Sequence, residues 1–369
     1  MYVGIDSLYG GNVISSLKCL SGFIKQKGGR VVWMLPKEAS SRDWFSALQD
    51  RETIIPFDRT QKVRHRARQM RHVLTENQID VIHIHFSDIA VPLFSSISYG
   101  ARIVRHIHSD FSLGQNESTK ERVMSLTKAA FLRILRSVSG NVVDVCVSPV
   151  LASRFRGGVY IPNAIAPSHI RAVEEEEAAD SRRLLGIADD DRCVLVFSWS
   201  PLVKGLDVAV NAIDLLNQRK ENFTLLVVCG EDFSVAKRFI DSRCECGSQV
   251  PFIKYLPPVE DVSLYHAVSD IYLSSSRSEG FSTSLMEALL FERACVISDI
   301  EGTSWARAYE SVFAFESGNS LLCADSLEHA AKWLEREGTS VVLSNVSSKL
   351  NADYSIDDWC NRLYDIYLG

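Results

Sequence analysis

No stretch of the 369 residues approaches the ~18 consecutive apolar positions of a membrane span. The N-terminus, Met1-Tyr2-Val3-Gly4-Ile5-Asp6, lacks the basic region and apolar core of a secretory leader. It reads as a first β-strand, and the expected compartment is the cytoplasm. Cysteine is present without a disulfide pattern. The nine cysteines are odd in number, and Cys146, Cys193, Cys229 and Cys295 lie in apolar runs, which predicts buried free thiols in a reducing compartment. Cys244 and Cys246 have no second cluster at zinc spacing, so no metal is expected there. No internal repeat of solenoid length occurs, which excludes repeat arrays.

What is present describes a globular protein. Hydrophobic residues make up 46% and charged residues 23%, and the length favours two domains. The net charge of −6 hides an asymmetry. Up to Asn163 there are 22 Lys and Arg against 13 Asp and Glu, whereas the remainder has 18 against 33. The first half is therefore expected to face something anionic.

Short apolar runs alternate with helical patterns, the signature of parallel sheets covered by helices. The strand series runs twice. The first comprises Tyr2–Ile5, Arg30–Leu35, Val81–His85, Ile103–His106, Val143–Val147 and Val159–Ile161. The second comprises Cys193–Ser198, Thr224–Val228, Phe252–Tyr255, Ile271–Ser274 and Cys295–Ser298. Between them Ala166–Arg192 reads as a linker and a helix, with the Asp189–Asp191 triplet as a solvated charge run. Ile356, Trp359, Leu363, Ile366 and Tyr367 recur at helical spacing in the last segment. The expected domains are 1–165 and 166–351, with 352–369 a helix crossing back to the first.

The most informative stretch is Ser276-Arg277-Ser278-Glu279-Gly280-Phe281-Ser282-Thr283-Ser284, followed by Glu287-Ala288-Leu289. Gly280 permits a tight turn after a strand, and Ser282 or Thr283 can cap a helix over 284–291. Open α/β sheets bind ligands at such strand-to-helix turns. Backbone N–H groups over 281–284, backed by the helix dipole, suit a diphosphate. Glu287, on the helix, can accept hydrogen bonds from both hydroxyls of a ribose, and Glu279 can meet sugar hydroxyls or the amides of the turn. A capped helix carrying an N-terminal glutamate is the plain alternative.

These residues resemble the signature of retaining GT-B glycosyltransferases of family 4, the "glycosyl transferases group 1". Gly10-Gly11 before a helix is similar to the family's N-terminal glycine loop. Asp80-Val81-Ile82-His83-Ile84-His85 and Val104-Arg105-His106-Ile107-His108 resemble its two histidine strands. Val147-Ser148-Pro149, Ile161-Pro162-Asn163, Lys204-Gly205-Leu206-Asp207 and Val296-Ile297-Ser298-Asp299 follow in the family's order. The resemblance implies two Rossmann-like domains facing across a cleft, with a nucleotide diphosphate sugar, expected to be UDP-linked, on the second domain. The acceptor, lipid-linked or saccharide, would lie mainly on the first, in surface-polysaccharide assembly.

By the same resemblance Lys204 pairs with the donor phosphates, and His108 contacts the donor sugar, with His106 as its competitor two residues away on the same strand face. Glu279 lies beside the sugar hydroxyls, and Gly10, Gly11, Gly280, Phe281, Ser282, Thr283 and Glu287 complete the donor site. The family's arginine about five residues before the lysine is missing: Ser198-Trp199-Ser200 stand there, with Arg277 as the candidate substitute. No pair of carboxylates placed for hydrolase chemistry emerges. The implied reaction is front-face transfer without metal or cofactor, the leaving phosphate taking the acceptor proton. A non-catalytic GT-B subunit supporting a partner transferase, and a nucleotide-sugar epimerase, are the rival readings.

Eight basic residues lie between Arg59 and His72, among them Arg64, Arg68 and Arg71, and Ala67, Met70 and Val73–Leu74 give the segment an apolar face. It resembles the membrane-docking helix of lipid-acceptor members, which implies peripheral contact with the anionic inner face of the plasma membrane. A solvated basic face is the alternative. No aromatic interleaving accompanies the charge, which argues against nucleic acid.

Overall fold

The computed structural model describes residues 11–85, 91–92, 95, 100–108, 142–166 and 169–369. The chain divides into two compact units, Met1–Asn163 with Ile356–Gly369, and Ala164–Ser355.

In the first unit the described elements are α1 (Gly11–Gln26), β1 (Val32–Pro36), α2 (Asp43–Gln49), β2 (Thr53–Phe57), α3 (Val63–Glu76), β3 (Val81–His85), β4 (Arg102–Ile107), β5 (Val142–Cys146), α4 (Pro149–Ser153) and β6 (Val159–Tyr160). The strands β3, β4, β5 and β6 pair in parallel in that order, and β1 pairs in parallel with β2. The strand expected at Tyr2–Ile5 lies outside the described residues. The Ser148-Pro149 landmark is a helix start: the Ser148 hydroxyl accepts from the Leu151 amide at 3.2 Å, and Pro149 fills the first position, where no N–H is needed.

The second unit opens with α5 (Glu175–Leu184), which buries none of its residues. It continues through β7 (Arg192–Phe197), α6 (Leu206–Gln218), β8 (Phe223–Val228), α7 (Ser234–Asp241), β9 (Ile253–Leu256), α8 (Ser263–Val268), β10 (Ile271–Ser274), α9 (Thr283–Leu290), β11 (Ala294–Ser298), β12 (Val312–Phe315), α10 (Ser320–Leu334) and α11 (Thr339–Asp353). Six parallel strands run in the order β12-β11-β10-β7-β8-β9. β7 and β8 are buried almost throughout, as strands covered on both faces must be. Helix α6 buries Leu206, Val208, Ala209, Val210, Ala212, Ile213 and Leu216, a wide apolar face set by helical spacing. Each large aliphatic side chain so buried contributes roughly 1.5–3 kcal/mol.

In this order the chain runs outward from β7 through β8 to β9, then returns to the other side of β7 with β10. The switch point of the sheet therefore lies between β7 and β10, and loops leaving adjacent strands in opposite directions leave a crevice at their carboxyl ends.

The last helix, α12 (Ile356–Leu368), packs on the first unit and buries Trp359, Cys360 and Leu363. Arg362 donates to the Tyr160 carbonyl at 2.6 Å, Arg102 donates to the Ile366 carbonyl at 2.6 Å, and Phe23 meets Tyr364 edge to face. All nine cysteines are free thiols, seven of them buried. The Asp189–Asp191 run ties the start of the second sheet together, Asp190 accepting from Asn222 and Asp191 from Thr224.

Candidate active site

The sequence signature sits at the switch point. The loop after β7 carries Lys204, and the turn after β10 carries Ser276–Ser282. Several contacts lock the two together. The Ser275 hydroxyl donates to the Lys204 carbonyl at 2.9 Å, and the Arg277 amide donates to the Val203 carbonyl at 2.7 Å. Gly205 has a φ of +63°, and a Cβ there would run into the Ser275 carbonyl. Only glycine meets both the left-handed backbone and the close approach.

The Lys204 ammonium forms an ion pair with Glu279, and the Ser276 hydroxyl donates to the same Glu279 oxygen at 2.7 Å. Glu279 is thus held by Lys204 and Ser276, and not by the amides of its own turn. Behind it, a Cβ on Gly302 would overlap the Glu279 backbone, so the segment after β11 presses against the turn. The Ser282 amide donates to the Gly302 carbonyl, and the Ser298 hydroxyl donates to the Ser276 carbonyl at 2.6 Å. Phe281 is buried face to face on Trp305, with centroids 4.8 Å apart, and Tyr354 closes the cluster edge-on. This packing fixes the turn in one shape.

Ser282 caps α9, its hydroxyl accepting weakly from the Leu285 amide at 3.4 Å. Gly280 and Phe281 are buried before the helix, while Thr283 and Ser284 are half-buried at its first turn. The start of α9 therefore offers backbone amides and the positive end of the dipole beside a lysine, an arrangement suited to phosphate. Trp199, Leu202 and Val203 stand exposed in the Lys204 loop and give that side an apolar rim.

Glu287 is buried on α9 at 6% exposure. His169 lies with Nε2 at 2.8 Å from its Oε1, and His266 faces Oε2 at 3.7 Å, too far for a hydrogen bond. Burial alone would raise the Glu287 carboxyl, but the His169 hydrogen bond and the two imidazoles bring it down to about 2. Burial works against the charged form of His169, and the hydrogen bond and charge of Glu287 outweigh it, raising that imidazole above its ordinary value. Burial keeps His266 below the ordinary value. His169 and Glu287 are accordingly a buried ion pair. The carboxylate that the sequence assigns to a ribose is engaged at one oxygen by a histidine 118 residues upstream, which sequence reasoning missed.

Arg277, the candidate substitute for the absent arginine, is engaged within the protein. Its guanidinium donates to both Asp207 oxygens at 2.8 Å and to the Leu202 carbonyl at 2.8 Å. It braces the loop and is paired with a carboxylate, as Lys204 is with Glu279.

In the first unit, Gly10 lies outside the described residues, and Gly11 opens α1 with a φ of +50°. His83 and His85 on β3 share a face with His106 and His108 on β4, since His85 registers with His106 across the ladder. His83, His85 and His106 are buried, whereas His108, at the end of the strand, is half-buried. The ring of His106, the competitor of His108, is buried beside Trp359 of α12, with centroids 6.2 Å apart. Desolvation, reinforced in the first three by the neighbouring imidazoles, pushes all four below the ordinary histidine value.

The basic segment forms a helix only from Val63, so Arg59 and Lys62 precede it. Arg64, Arg68 and Arg71 are exposed on one stripe, opposite the buried Ala67, Met70, Val73 and Leu74. No helix among the described residues is long and apolar enough to cross a membrane.

Residues 178–332, which hold the whole Lys204–Glu287 turn, match the family model described as "Glycosyl transferases group 1". Over this stretch the chain is similar to group 1 glycosyltransferases. The fold class extends across its length: a glycosyltransferase from Rickettsia africae superposes with a TM-score of 0.78 at 14% identity, covering 99% of this chain and 97% of that one. Anabaena HepE, solved with UDP and glucose, superposes at 0.75 with 16% identity, covering 99% and 98%. WaaG, a glycosyltransferase involved in lipopolysaccharide biosynthesis, gives 0.66 at 14% identity over 100% of both chains. No curated protein sequence matches the chain. The architecture is GT-B, two Rossmann-like units of parallel sheet.

Proposed function

We propose that the protein is a retaining, metal-independent transferase that moves a sugar from a nucleotide diphosphate, UDP first among the candidates, to a lipid-linked or saccharide acceptor. The observation that carries this reading is the Lys204–Glu279 pair at the sheet's switch point, set beside the start of α9. The donor's diphosphate lies against the start of α9, where the Thr283 and Ser284 amides head the helix, with the Lys204 ammonium on its phosphate oxygens. Glu279, released from Lys204 by the arriving phosphates, accepts from the sugar hydroxyls, and Glu287 accepts from the ribose through its second oxygen.

In the reaction the bond between the anomeric carbon and the phosphate oxygen breaks. The acceptor oxygen bonds to that carbon on the same face, and the acceptor proton passes to the departing phosphate. Charge builds on the diphosphate, so Lys204 and the helix start stabilise the transition state more than the ground state. The stripe of Arg64, Arg68 and Arg71 is proposed to rest on the anionic cytoplasmic membrane face where a lipid-linked acceptor is presented. Arg64 and Arg68 lie in the N-terminal half of α3, where the dipole opposes them, a placement that serves contact better than stability.

A specific observation supports a second reading. The missing arginine near Trp199, with Arg277 bound to Asp207, fits a GT-B subunit that supports a partner enzyme without turnover. Incubation with UDP-sugars and GDP-sugars separates the two: slow release of free nucleotide, abolished in Lys204→Ala, identifies the enzyme. Donor binding without release identifies the subunit.

A further inference from the structure

The four histidines under α12 are more than a packed patch. His83, His85 and His106 each offer a ring nitrogen, and the three lie within 4.8 Å of one another, all buried. We infer that His83, His85 and His106 form a binding site for a divalent transition ion of the zinc class, separate from the donor site of the second unit.

Two geometric features point to an ion. His83 Nε2 and His106 Nδ1 are 3.3 Å apart, long for a hydrogen bond between imidazoles. Two nitrogens bound at about 2.0–2.1 Å on a tetrahedral ion stand roughly 3.3 Å apart. The second feature is a buried polar atom without a protein partner, the Nε2 of His85. Buried ring nitrogens are ordinarily satisfied, and an unpartnered one in a three-imidazole cluster is what a missing ligand leaves. His85 must move inward by roughly 1.5 Å to complete a tetrahedral face. The nitrogen His106 offers is Nδ1, the one that faces His83.

The surroundings supply the outer contacts that orient metal-binding histidines. The Tyr367 hydroxyl lies 2.6 Å from His83 Nδ1, and His108 Nε2 lies 3.0 Å from His85 Nδ1. Both contacts occupy the Nδ1 edge and leave Nε2 turned inward. Three neutral imidazoles in a dry pocket favour zinc, copper or nickel over magnesium or calcium, which take oxygen ligands. A bound ion would pin β3 to β4 and, through His85, hold His108.

The test uses the full, untagged chain. After chelator treatment, Zn²⁺ is titrated against a chromogenic competitor, and the zinc-loaded protein is examined by X-ray absorption. One ion per chain and three imidazole ligands are expected. His83→Asn/His106→Asn should abolish binding, and Tyr367→Phe should weaken it about 10-fold. His65→Asn/His72→Asn, which removes two exposed histidines of α3, should leave it unchanged. Fewer than three imidazoles in the wild type, no binding, or binding lost with His65 and His72 would overturn the site. The ligand count on the wild type stands even where the double variant fails to fold.

Discussion

Lys204 and Glu279, 75 residues apart in the chain, meet in an ion pair between the loops that leave β7 and β10. The pair joins the two loops at the switch point of the sheet. Glu279 holds the long lysine side chain close to the start of α9, which lowers the entropy that donor binding must remove.

Lys204→Ala should therefore abolish donor turnover without unfolding the protein. Loss of one preorganised phosphate contact costs about 2.7–4 kcal/mol, or roughly 10²–10³ in rate. Steady-state release of nucleotide measures it, with circular dichroism as the control for folding. Unchanged turnover in a folded Lys204→Ala protein contradicts the role.

Gly302→Ala tests the packing behind Glu279. A methyl group would overlap the Glu279 backbone, so the turn must move or the segment after β11 must shift. Overpacking of this kind costs typically 1–3 kcal/mol. A lower Tm together with weaker nucleotide binding is expected, while Gly318→Ala, strained only by its φ of +84°, should leave nucleotide affinity intact.

The His169–Glu287 pair gives stability a pH window. Glu287 is depressed in the fold, from 4.5 to about 2, so its contribution is complete above about 4.5 and is lost as pH falls toward 2. His169 is raised, so its contribution is complete below 6.5 and is lost as pH rises through the folded value. The pair therefore stabilises most between about 4.5 and 6.5. His169→Asn should flatten the alkaline side of a Tm-against-pH curve, and an unchanged slope would exclude the ion pair.

Arg64→Glu/Arg68→Glu/Arg71→Glu should remove binding to anionic vesicles at low salt, since each basic residue near such a surface contributes about 1 kcal/mol. Release of free nucleotide from a soluble donor should be unaffected. Co-sedimentation with and without phosphatidylserine reads the effect, and retained binding by the triple variant contradicts the membrane face.

The sequence was most legible where local chemistry repeats a pattern. Strands β7 and β10 are nearly continuous apolar runs, and α9 announces itself with Gly280 and the Ser282 cap. β2 was not foreseen because Pro56 interrupts it and four of its five residues are exposed or half-buried, so no alternation marks it. β12 spans four residues, with only Phe315 buried. The site was legible in residue type but not in partnership. Nothing local to Glu287 indicates that His169 arrives from the linker, and nothing local to Arg277 indicates that Asp207 has already taken its charge. The two histidine strands were visible singly, and only the parallel register of β3 on β4 stacks them into one cluster.

The central claim is that the turn after β10, with Lys204, holds a nucleotide diphosphate. Thermal unfolding with UDP and GDP, alone and as sugar conjugates, tests it most directly. One of them at a hundredfold excess over its Kd should stabilise the wild type by about 2.7 kcal/mol, and the gain should vanish in Lys204→Ala. No shift with any nucleotide, or an equal shift in the variant, would contradict the account.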